Sequence, residues 1–176
     1  MENTTAPQRL DTGKLHRYLS EHLLGSASGL EHFRAARQTW AGTSHEGRLE
    51  SLYQQITDDQ RDLKKLIAAL GYTPHPAVRL AMPLANLAGR FNPLNPLRRR
   101  RSSMAQSQLD MLTGLLNAKL AMWRTLLLAC DADDRLDAAL LKDLSRRAQS
   151  QIRQLAELSD STWSDHFPAE QEAAAA

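Results

Sequence analysis

Proline placement constrains this chain more than any other feature. Five of its seven prolines, Pro74, Pro76, Pro83, Pro93 and Pro96, fall in the segment 72–103, leaving 8–73 and 97–167 without one. A proline lacks the backbone N–H and clashes with the preceding turn, so an interior proline breaks a helix. Stretches of this length without one can each hold long helices. They are also rich in Leu, Ala, Gln, Arg and Glu, residues that lose little rotamer freedom in a helix. Alternating β-branched runs, the mark of half-buried strands, are absent.

Apolar residues at spacings of three and four predict four helices. The first spans about 12–40, with Leu15, Leu19, His22, Ser26, Gly29, Phe33, Ala36 and Trp40 on one stripe. The second spans about 46–70, with Leu49, Leu52, Ile56, Leu63, Leu66 and Leu70 inward. Thr43 and Glu46 fit a capping box, and Gly71 suits the left-handed position after a helix end. The third spans about 104–129, on Leu109, Leu112, Leu116, Trp123 and Leu127, with Met111, Leu115 and Met122 widening the stripe. Ser103 and Gln106 again fit a capping box. The fourth spans about 136–165, on Leu140, Leu144, Ala148, Leu155 and Leu158, with Arg146, Arg147 and Arg153 outward.

Short connections within each pair make antiparallel neighbours. The expected fold is an all-α, antiparallel four-helix bundle with a long, proline-rich, basic crossover. An N-terminal tail at 1–11 precedes one bundle domain at 12–167, with its crossover at 72–103 and a frayed tail at 168–176. A short helix is expected at about 77–88, broken near Pro83 and stopped by Gly89.

Composition narrows the function. One cysteine excludes an internal disulfide and a Cys-only zinc site. Cys130 sits at a predicted helix C-terminus, whose negative dipole end disfavours a thiolate. No apolar run approaches the roughly 18 residues of a membrane span, and the first residues lack a signal-peptide core. A cytoplasmic protein without a transmembrane segment is expected. No GxSxG, HExxH, P-loop or GxGxxG occurs.

Four polar residues interrupt the apolar stripes near mid-helix: His22, Asp59, Lys119 and Gln151. Antiparallel pairing puts them at similar heights, and a buried charge requires a partner. They predict a polar layer in which Asp59 meets His22 or Lys119. Such a layer fixes helix register, or forms a small polar ligand site beside the glycine notch GSASG at 25–29. Close packing of another helix is the expected use of the notch.

Two segments carry a family resemblance. LESLYQQITDDQRDLKKLIAALGY, residues 49–72, is similar to the second helix of small bacterial ferritin-like proteins. YLSEHLLGSASGLEHF, residues 18–33, resembles their first helix. The resemblance implies a di-metal site built from a Glu on each of two helices and a Glu-x-x-His on each of the other two. This sequence contains no Glu-x-x-His. The nearest register on the second helix is Asp58 to Arg61, and an arginine cannot ligate a metal. The fourth helix offers RRAQSQIRQL, without acid or histidine, and the third has Asp110 as its only acid. No metal and no other cofactor are therefore expected. An altered ligand set would have to draw on His22, Asp59 and Asp110.

The crossover is electrostatically distinct. Residues 72–105 hold six arginines, Arg79, Arg90 and Arg98 to Arg101, and no acid. With the whole chain at +2, these six leave the remainder at −4. Arginine contacts phosphate bidentately, so Arg90, Arg98, Arg99, Arg100 and Arg101 are candidates for binding an anionic membrane or nucleic acid. The function expected first is nevertheless a non-catalytic interaction or scaffold protein, working with a protein partner or as a homo-oligomer. A ferritin-like metal-binding protein or oxidoreductase with altered ligands is one alternative; peripheral anion binding by the arginines is the other.

Overall fold

The computed structural model describes residues 10–73 and 103–166. These residues form four helices and no strand: α1 (Thr12–Thr39), α2 (Glu46–Ala69), α3 (Ser103–Ala129) and α4 (Ala138–His166). None is long and apolar enough to cross a membrane. The expected short helix at 77–88 lies outside the described residues, as do Arg90, Arg98, Arg99, Arg100, Arg101 and most of both tails.

The helix ends follow local chemistry. Asp11 caps α1, its carboxylate accepting from Lys14 N at 3.0 Å. Asp137 does the same for α4, accepting from Ala139 N and Leu140 N. Before α2 the capping box is displaced. His45 holds the cap position without a side-chain bond, Glu46 reaches back to Gly42 N at 2.7 Å, and Thr43 Oγ1 accepts from His45 N. Six residues, 40–45, connect α1 to α2. Gly71 closes α2 at φ +75°, a conformation that costs a residue with a Cβ about 1–2 kcal/mol.

The interior consists of two apolar layers. One joins Leu15, Leu19 and Leu23 of α1 to Leu63, Leu66 and Leu70 near the end of α2, with Trp123 and Leu126 of α3 and Leu141 and Leu144 of α4. The other joins Phe33, Ala36 and Trp40 to Leu49 and Leu52 at the start of α2, with Leu109 and Leu112 of α3 and Leu155 and Leu158 of α4. The backbones of α1 and α2, α3 and α4, α1 and α3, and α2 and α4 approach closely. Stripe assignments shift on three helices. On α3, Leu126 is buried in place of the expected Leu127, and Met111, expected to widen the stripe, is exposed. Leu23 and Ala27 are buried on α1 while His22 and Ser26 sit at the stripe's edge. On α4, Leu141 is buried and Leu140 is exposed. Spacings of three and four are both compatible with a 3.6-residue turn, so the pattern locates a face only to about one position.

Where the chain leaves α2, Tyr72 lies between the His16 ring, 4.8 Å away, and the Arg135 guanidinium, 5.8 Å from its centroid. His16 Nε2 bonds Thr73 O and Arg135 donates to Leu70 O. This clamp ties the end of α2 to the starts of α1 and α4.

Candidate functional site: a buried ion network beside an open cleft

Between the two apolar layers, Asp59 of α2 is 1% exposed. Its Oδ2 accepts from Lys119 Nζ of α3 at 2.6 Å and from Gln151 Nε2 of α4 at 2.9 Å. The same ammonium donates to Gln151 Oε1. Asp59 Oδ1 lies 3.3 Å from Arg147 of α4, near enough to pair in charge though not aligned as a hydrogen bond. Arg147 continues outward to Asp62 at 2.6 Å and Asp143 at 3.5 Å. Three helices are therefore joined through one carboxylate. A buried carboxylate is tolerable only with such partners, because taking it from water costs several kcal/mol. Burial pulls the Lys119 ammonium below its ordinary 10.5, and the Asp59 charge opposes that pull.

Of the four residues expected in a polar layer, Asp59, Lys119 and Gln151 meet. His22 does not bond to them. It packs edge-on against Tyr18, ring centroids 4.5 Å apart, and lines the same cleft. Burial holds its pKa below the ordinary 6.5, with Glu21 opposing. Arg147, expected outward, is instead half-buried and central. The spacing Asp143, Arg147, Gln151 repeats every four residues along one face of α4, a signal that could have found it.

The polar residues do not fit a metal centre. Asp110 stays exposed on α3, hydrogen-bonded only loosely by Gln106 at 3.5 Å, and does not reach the cleft. Asp59 faces two cations, which compete with any metal for its oxygens. Among the described residues no group of three or more His, Cys, Asp or Glu could hold a metal ion.

Beside this network lies a cleft of about 230 Å³ between α1, α2 and α3. Gly25 and Gly29 form part of its α1 wall, and a Cβ built on either would meet nothing within 4 Å among the described residues. The notch is therefore not a close helix contact, contrary to the sequence expectation. Each glycine costs the helix about 1 kcal/mol relative to alanine, with no packing gain in return. What holds α1 to α2 here is Ser26, which accepts from Gln60 Nε2 at 3.0 Å while donating to Leu23 O at 2.7 Å. Phe33, Leu63 and Trp123 also line it, as do Lys119 and Asp59.

No protein-family model, curated protein or solved structure matches the chain.

Proposed function

We propose that the chain is a non-catalytic, antiparallel four-helix bundle of ferritin-like kind that serves as an interaction or scaffold protein. The antiparallel reading is supported by the apolar layers, which join the starts of α1 and α4 to the ends of α2 and α3. The ferritin-like reading is supported by two helical hairpins separated by a long segment, with polar residues at mid-height. One observation carries the functional reading: Asp59 is held by hydrogen bonds from Lys119 and Gln151 and by the charge of Arg147. The central acid is spent on joining helices, where a ferritin-like enzyme would use its acids on metal. Cys130 adds no nucleophile, since burial, Asp131 and Asp137 push its thiol above 9.0.

Untagged protein, offered iron, manganese and zinc and then desalted, tests this by elemental mass spectrometry. Metal well below one atom per chain is expected. A stoichiometric metal that disappears in Asp59→Ala would move the protein to the metalloenzymes. Sedimentation velocity on the same preparation reads the homo-oligomer directly.

A further inference from the structure

The cleft beside the glycine notch has a composition that selects its occupant. Its walls are mainly apolar and aromatic, and its volume of about 230 Å³ exceeds the roughly 150 Å³ that holds a benzene ring in a comparable apolar cavity. A bicyclic molecule is the matching size. Gly25 and Gly29 leave room on the α1 side, as a Cβ on either meets nothing within 4 Å among the described residues.

The polar groups on the walls are unequal in what they can still do. Ser26 and Gln60 are bonded to one another. Asp59 accepts two hydrogen bonds on Oδ2, and its Oδ1 lies 3.3 Å from Arg147 in charge contact without a hydrogen bond. An ammonium has three hydrogens, and Lys119 uses two, on Asp59 and Gln151. Its third has no acceptor among the described residues. The buried indole N–H of Trp123, on the same wall, also lacks an acceptor among them. Two N–H donors on the walls are thus unused, and the one buried wall acceptor without a hydrogen bond, Asp59 Oδ1, already faces the Arg147 cation. Charge points the same way: the Lys119 cation is already balanced by Asp59, burial disfavours a positive charge on His22, and Glu21 lines the cleft. An anion entering here would face Asp59 and Glu21 with no uncompensated cation to receive it, and burying an unpaired charge is costly.

We propose that this cleft binds a small, uncharged, ring-bearing molecule with a hydrogen-bond acceptor. The rings lie against Phe33, Leu63 and Trp123, and the acceptor takes the remaining N–H of Lys119.

Three probes of similar size test the assignment on the full chain: coumarin (neutral, with a carbonyl acceptor), naphthalene (no acceptor) and 1-naphthoate (anionic). Binding is read from ¹H–¹⁵N NMR shifts. Coumarin is expected to give saturable shifts at the Gly25 and Gly29 amides. Naphthalene and 1-naphthoate should each bind at least tenfold more weakly, the discrimination that one hydrogen bond from a charged donor provides. Gly29→Leu, which fills the cleft with a good helix former, should weaken coumarin at least tenfold while melting no lower than the parent. Lys119→Met should bring coumarin and naphthalene to equal affinity; where that variant fails to fold, Gly29→Leu decides. The proposal is overturned if coumarin shows no saturable binding, binds Gly29→Leu unchanged, or binds more weakly than 1-naphthoate.

Discussion

Replacing Gly29 by alanine distinguishes an open notch from a packed one through a single methyl group. Gly29 lies in the interior of α1 and has no positive φ, so alanine fits its backbone. Its Cβ would meet nothing within 4 Å among the described residues, so they impose no steric cost to subtract. What remains is the helix-propensity difference, about 1 kcal/mol in favour of alanine. For a domain of this size that corresponds to a rise of about 2–4 °C in Tm. Gly25 is equivalent in both respects. The two methyls share no neighbour, so the double variant should gain about 2 kcal/mol. Urea unfolding followed by far-UV circular dichroism measures both gains. Had α1 used the notch for close helix packing, the same methyls would overpack the contact and destabilise by about 1–3 kcal/mol. A loss of stability in Gly29→Ala would therefore refute the open cleft and the reasoning built on it.

Asp59→Ala should destabilise the fold by about 3–5 kcal/mol, because Lys119 is left buried without its counter-charge; replacing Asp59, Lys119 and Gln151 together by Leu, Met and Leu should recover most of that loss in urea titrations. His22 gives a pH signature: its folded pKa lies below 6.5, so the unfolded chain binds more protons between the two values and stability rises with pH across that window. The penalty is complete below the folded pKa and gone above the unfolded one, so stability measured relative to His22→Gln should fall on acidification from pH 7.5; a flat difference contradicts the burial of the ring. Gly71→Ala places a Cβ at φ +75° and should cost about 1–2 kcal/mol by the same assay. Leu128→Lys, at a position 83% exposed, should change stability by less than about 0.5 kcal/mol.

The sequence was sufficient for properties set by neighbours along the chain. Proline placement and the spacing of three and four located all four helices to within two residues, because helix propensity and chain breaking act over a turn or two. Gly71 and the polar interruptions at Asp59, Lys119 and Gln151 were legible for the same reason: each departs from a local pattern. Properties that depend on what stands opposite were not. Arg147 reads as a surface residue on its own helix, and only α2 supplies the Asp59 and Asp62 that draw it inward. His22 shares a height with Asp59 but faces Tyr18, since its side-chain direction depends on how α1 rotates against its neighbours. The glycine notch is the clearest case. A missing Cβ permits a close approach or an empty space equally, and the sequence of α1 is the same for both. The positions of α2 and α3 across from Gly25 and Gly29 leave that space open.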